Sequence, residues 1–302
     1  MKTGVHAFEA GIADVAACAA WAEEAGYDVV ASAEVDHDPF LPLALAARDT
    51  SRVRLATTIA VAFARTPMTM AYVANDLQAL SGGRFVLGLG TQTKPHITRR
   101  FGMPWGRTAA RMREYITALR AIWDDWNTGR PVRHEGEHYR HTLMTATFRP
   151  APHGHGNPPI HLAAVGPLMT RLAGEVADGL IPHGFSTERY FREVTLPALE
   201  EGLARAGRDR SEVTVHCPGF VHVHAPRRRR RRATADAARA GRLLRLHTGL
   251  PRRAGPARLA GAARAAARPV GHPPTRTAGT GWPTSSTTRC STRSASAAPS
   301  RR

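Results

Sequence analysis

The chain has 302 residues, 42% of them hydrophobic, with 42 Lys+Arg against 24 Asp+Glu and three cysteines. That length favours one large domain plus an extension. Cys18, Cys217 and Cys290 are far apart and form no CxxC pair, which argues against a disulfide framework or a structural zinc and for a reducing, cytoplasmic compartment. No stretch approaches the roughly 18 uncharged apolar residues of a membrane span, and the N-terminus lacks the apolar run of a secretory signal.

In chain order, GVHAF (4–8) predicts a first strand and residues 12–26 a helix closed by Gly26. A second strand follows at 27–34, a helix at 39–50, a third strand at 53–63, a helix at 67–83 opened by a proline, and a fourth strand at 84–90. A polar insertion near 91–110 leads into a long helix at 111–126 with one apolar face. Residues 130–150 suit a hairpin, and strands at 158–166, 178–184 and 213–223 alternate with helices at 168–177 and 188–207. Such repeated βα units define an α/β fold with a parallel sheet, and their number fits a (β/α)8 TIM barrel.

The positive charge sits almost entirely beyond this pattern. Residues 1–223 hold 23 Lys+Arg and 23 Asp+Glu, whereas residues 224–302 hold 19 Arg, no Lys and one acid, Asp236. The chain therefore divides into a barrel domain, 1–223, and an Arg/Ala/Pro-rich tail, 224–302. The tail reads as a disordered basic extension, as a nucleic-acid arm headed by the six arginines at 227–232, or as an out-of-frame translation of a GC-rich gene. The last reading is favoured: back-translated with GC-rich codons, 241–253 and 282–294 read in neighbouring frames as ordinary protein. The balanced charge of 1–223 speaks against nucleic acid as the partner of the barrel.

In a (β/α)8 barrel the active site lies at the C-terminal ends of the strands. After the second strand, AEVDHDPF places Glu34, Asp36, His37 and Asp38 on one loop, and a histidine beside carboxylates suits proton transfer. The third strand carries Thr57, Thr58 and Ile59, by themselves merely good strand residues. The fourth ends in GLGTQTKPH, where Gly88 and Gly90 let a flat ligand approach the backbone and Thr91 and Gln92 offer hydrogen-bonding groups. After the fifth, Gly166 and Pro167 open a helix whose amides can bind a phosphate. Lys94, Arg99 and Arg100 can meet an anionic ligand tail, although a solvated basic face is the ordinary reading, and His161 and His183 read as core or surface residues. His153 and His155 sit in a glycine-proline turn rather than a metal site. No GxSxG elbow, Walker sequence or GxGxxG after a first strand supports a hydrolase or a Rossmann fold.

Three stretches together resemble the luciferase-like monooxygenase superfamily, and within it the actinobacterial oxidoreductases that use coenzyme F420. They are AEVDHDPFLPLALAARDTSRVRLATTIAVAFARTPMTMA, DLQALSGGRFVLGLGTQTKPHITRRFGMPW with RMREYITALRAIW, and IHLAAVGPLMTRLAGEVADGLIPHGF. The resemblance covers residues 1 to about 223 and ends before an eighth strand and the final helices, which leaves the barrel incomplete at its last β/α unit. It implies a deazaflavin lying across the strand ends, exchanging a hydride at C5 with a small organic substrate, with His37 as proton donor or acceptor and Glu34 and Asp36 beside it. It implies a non-prolyl cis peptide between Thr58 and Ile59 behind the ring. It further places Gly90, Thr91 and Gln92 along the ring or ribityl chain, Ala164, Val165, Gly166 and Pro167 around the phosphate, and Lys94, Arg99 and Arg100 near the polyglutamate tail. Family members commonly dimerise, so a homodimer is implied. An FMN-dependent monooxygenase of the same superfamily, an inactive truncated homologue and a basic-tail nucleic-acid-binding protein are the alternatives.

Overall fold

A computed structural model describes residues 2–7 and 11–219, all within the first of two units of the chain, Met1–Val223. The expectations for the tail, for Cys290 and for the end of the seventh strand lie outside the described residues. The elements follow the predicted alternation: β1 (Gly4–His6), α1 (Val15–Glu24), β2 (Val29–Ser32), α2 (Phe40–Asp49), β3 (Arg54–Thr57), β4 (Ala60–Val61), α3 (Pro67–Leu80), β5 (Phe85–Gly90) and α4 (Thr108–Thr128). Then come a small hairpin of β6 (His134–Glu135) and β7 (Arg140–His141), followed by β8 (Ile160–Ala164), α5 (Pro167–Val176), β9 (Gly179–Pro182), α6 (Glu188–Tyr190), α7 (Leu196–Ala206) and β10 (Thr214–Val215).

The ends of these elements obey local chemistry. Thr66 caps α3 by accepting from the Thr69 N–H at 3.2 Å, with Pro67 in the first turn. Gly129, at φ 74°, closes α4 in the left-handed conformation that favours glycine. A π-helical turn, Phe191–Thr195, joins α6 to α7, so the single helix expected over 188–207 is present with one irregular turn. A second π-helical turn, His96–Arg100, occupies the polar insertion that the sequence leaves irregular.

Strands β1, β2, β3, β5, β8, β9 and β10 pair in that order, all parallel, and β4 pairs with β5 beyond β3. The third strand, expected as one run over 53–63, is therefore broken in two. From Ala56↔Val86 to Ala60↔Leu89 the broken strand advances four residues while β5 advances three. The extra residue makes a bulge at Thr58–Ile59, the kind of irregularity that re-aims side chains at the rim of a barrel.

Alternation along the strands separates two cores. Val30, Leu55, Phe85, Leu87, Ile160, Leu162 and Leu180 join the large core shared with the helices. Ala31, Ala56 and Val86 form a separate small cluster, which places them on the inner face. His161, between Ile160 and Leu162, and Gly88, between Leu87 and Leu89, face inward by the same rule. The sheet curls toward closure. His6 ends β1, one edge of the sheet, and His216 follows β10, the other; the two are near enough for their charges to repel. The fold is thus a (β/α)8-type barrel in which the described residues supply the first seven strand positions.

Candidate active site at the C-terminal mouth of the barrel

The mouth is floored by the bulge of the third strand. The Thr58–Ile59 peptide is cis, as the resemblance implies. The Thr58 N–H donates to the Ser32 carbonyl at 2.7 Å and the Glu34 N–H to the Ile59 carbonyl at 3.1 Å, tying the bulge to the end of β2. Beside it, the Thr57 hydroxyl donates to the Gly88 carbonyl and accepts from the Gly88 N–H, both at 2.8 Å. A β-carbon on Gly90 would come within 2.8 Å of Ile59 Cδ1. Gly88, whose β-carbon would overlap the Thr57 carbonyl oxygen, is required by close packing of β5 against β3, a reason that the GLG pattern alone does not reveal, whereas at Gly90 the neighbour is the flexible end of Ile59.

The loop after β2 holds the predicted acid/base residues, and the structure gives them different surroundings. Glu34 is buried, and its Oε2 accepts from the Val61 N–H at 2.8 Å and from Arg65 Nη1 at 2.7 Å. Asp38 accepts from Arg65 Nη2 at 2.7 Å and from the Phe40 N–H at 2.9 Å. Between them, Asp36 and His37 lie toward solvent, with side chains 70% and 44% exposed and His37 Nε2 3.7 Å from Asp36 Oδ2. His37 and Asp36 form an accessible pair, whereas the Glu34 carboxylate is committed to the protein.

Just after β5, Thr91 donates to the Gln92 carbonyl at 3.0 Å and the Gln92 side chain accepts from the Thr93 N–H at 2.9 Å. Gln92 adopts φ 58°, uncommon for a side-chain-bearing residue, and turns the chain sharply away from the strand end. At the end of the neighbouring β8 Ala164 is buried, and the next residue, Val165, is half exposed, its carbonyl accepting from Tyr190 Oη at 2.9 Å. Gly166 then caps α5, with Pro167 in the first turn. A β-carbon on Gly166 would meet no atom within 4 Å, so open space adjoins this helix start. Arg100 reaches across the mouth to donate to the Val35 carbonyl at 2.9 Å, while Lys94 and Arg99 are exposed.

Three inward histidines were not singled out by sequence reasoning for this role. His6 stands with Nδ1 3.2 Å from the Thr58 hydroxyl, and burial together with His216 pulls its pKa down to about 4. Burial, with smaller contributions from His216 and Arg54, does the same for His161, whose Nδ1 has no hydrogen-bond partner. Burial also lowers His216. At the end of β9, burial lowers the pKa of His183, which stacks on Phe185 at 5.4 Å. The position of His6 at the end of the first strand is a signal that would have found it; nothing local marks His216 or Arg65.

A parallel barrel with an accessible His–Asp pair after β2 and an open helix N-terminus after β8 defines a (β/α)8 protein whose candidate site lies at the C-terminal ends of the strands. The chain belongs to the luciferase-like monooxygenase family, whose sequence profile matches residues 2–280 and so runs past Val223. It is 54% identical over 203 residues to an uncharacterized protein of Mycobacterium tuberculosis, covering 67% of this chain and 60% of the relative. It is 34% identical over 209 residues to the F420-dependent glucose-6-phosphate dehydrogenase of Intrasporangium calvum, covering 64% and 60%. The chain thus spans 60% of the length of these relatives. In fold it is similar to the monooxygenase RslO1 from Streptomyces bottropensis, with a TM-score of 0.69 and 23% identity over 82% of this chain and 80% of that one. Among the described residues, no helix is long and apolar enough to cross a membrane.

Proposed function

We propose that the protein is an F420-dependent oxidoreductase that moves a hydride between the deazaflavin C5 and a small organic substrate, with His37 as the acid/base. The observation that carries this reading is the mouth itself. Gly88 and Gly90 let β5 pack directly on Thr57 and Ile59 and so hold the bulge in place, while the space next to Gly166 opens onto the first turn of α5. That open helix start suits an anionic phosphate, which gains from its free amides and dipole. The residues present therefore fit the phosphate of a deazaflavin. Thr91 and Gln92 would border its ring or ribityl chain, with Ala164, Val165, Gly166 and Pro167 around the phosphate and Lys94, Arg99 and Arg100 near its anionic tail. When bound, the coenzyme supplies a hydride donor or acceptor. The relative from Intrasporangium calvum, F420-dependent by name, supports this choice.

His37 accepts a proton at its imidazole from a substrate hydroxyl as the hydride leaves the adjacent carbon, or returns it in the reverse direction, with Asp36 Oδ2 3.7 Å from its Nε2. Glu34 and Arg65 take no proton and hold the loop. The test is separate titration of F420 and FMN, followed by fluorescence with a salt control, together with oxygen uptake in the presence of reduced FMN. Saturable, salt-resistant binding of F420 is the expected result. Binding of FMN alone with oxygen uptake would replace this reading by a monooxygenase, and binding of neither would overturn both.

A further inference from the structure

The loop that carries His37 is held at each end and free only in the middle. At its start, Glu34 grips the third-strand bulge twice, its N–H donating to the Ile59 carbonyl at 3.1 Å and its carboxylate accepting from the Val61 N–H at 2.8 Å. At its end, Asp38 accepts from the Phe40 N–H at 2.9 Å. One guanidinium joins both ends: Arg65 donates to Glu34 and Asp38 at 2.7 Å each, and its Cζ lies 5.4 Å from the Phe40 ring centroid. Arg65 follows directly on the short 3-10 turn Ala62–Ala64, which leads out of the bulge. Between the two held ends the side chains of Asp36 and His37 point outward.

We infer that Arg65 is a positioning residue for the proposed reaction: by bridging Glu34 to Asp38 it fixes the loop that carries His37. The inference rests on the proposed function for its catalytic consequence, but the bridge has a structural consequence of its own. A guanidinium presents two parallel donors in one plane, so it ties two carboxylates together in a way that an ammonium, a single point of charge, does not. Burial disfavours the arginine's charge, yet the two carboxylates more than offset this and raise its pKa. The Glu34 carboxylate is buried and shared between the Val61 amide and the Arg65 guanidinium.

The experiment compares the full chain with Arg65→Gln, Arg65→Lys and Asp38→Asn. Without coenzyme, amide hydrogen exchange reads the bridge: the Val61 and Glu34 amides are expected to exchange at least about tenfold faster in Arg65→Gln while the strands β5 and β8 keep their protection. With coenzyme and substrate, kcat is expected to fall roughly 10- to 100-fold with the coenzyme Kd nearly unchanged, the signature of a displaced acid/base. Arg65→Lys should recover part of that loss. Asp38→Asn, which leaves the Glu34 arm in place, carries the test if Arg65→Gln does not fold, and should loosen only the 36–38 segment. Unchanged Val61 exchange together with unchanged kcat would overturn the inference. Faster exchange in a protein that binds neither coenzyme would uphold the bridge and reject the proposed function instead.

Discussion

Gly88 packs so tightly against Thr57 that a β-carbon on the glycine would overlap the Thr57 carbonyl oxygen, and the Thr57 hydroxyl closes the same contact with two 2.8 Å hydrogen bonds to the Gly88 backbone. The overlapping atom belongs to the backbone of a paired strand, so a side chain cannot relieve it by changing rotamer. Gly88→Ala is expected to cost about 3 kcal/mol, the upper end for overpacking, and to lower the urea midpoint. A midpoint within error of the parent would show that β3 and β5 can separate at this point.

Acid should weaken the barrel through its inward histidines. His6 and His161 both have folded-state pKa values lowered to about 4 from an unfolded value of 6.5, chiefly by burial. Between those limits the unfolded chain binds protons that the folded chain refuses, so stability is full above about pH 6.5 and falls as pH drops toward 4. Each group contributes at most about 3 kcal/mol to that fall. Thermal midpoints measured from pH 7.5 to 4 check it, and in His161→Gln the slope across this window should shrink. An unchanged slope would mean that His161 remains uncharged in both states or is charged in both.

Asp125 is buried at 1% exposure at the end of α4, where its carboxylate accepts from the Val132 N–H and from Arg149 Nε, both at 2.8 Å. Removing one member of such a pair strands the other, and Asp125→Ala is expected to destabilise the protein by about 3 kcal/mol or more. The Arg149→Met, Asp125→Ala double variant should recover part of this. Chemical denaturation of the parent, Asp125→Ala, Arg149→Met and the double variant gives the coupling.

His37→Gln keeps a hydrogen-bonding side chain of similar reach and removes the proton site. Under the proposed function kcat should drop roughly 10²- to 10⁴-fold, while F420 affinity stays within about threefold. Full turnover in this variant would move the acid/base role to another residue of the mouth, with His6 next in line by position.

Much of the fold is legible in the sequence because hydrophobic periodicity is a local signal. The helix starts at Thr66–Pro67 and the stop at Gly129 follow from residue chemistry alone. The His37 loop and the Gly166–Pro167 helix start are also legible, because barrel geometry sends attention to whatever follows each strand. The break in the third strand is not legible from periodicity: Arg54 through Phe63 reads as one continuous β-prone run, and at the break it is hydrogen-bonded to Ser32 at the end of β2 and to Glu34 on the loop that follows.

Residues 1–223 carry, in their order of βα units and their balanced charge, a parallel barrel and the loops around its mouth, since each such feature is written within a few neighbouring residues. Tertiary structure alone separated the acids of one loop. Glu34 and Asp36 are two residues apart and chemically alike, yet Glu34 is buried against Val61 and Arg65, 27 and 31 positions along the chain, while Asp36 stays in water beside His37. The same holds for His6 and Thr58, 52 positions apart, which meet only because strand pairing brings β1 and the third strand into one sheet. The solvation and partners of a charged group are set by what packs around it, and that depends on contacts between segments far apart in the chain.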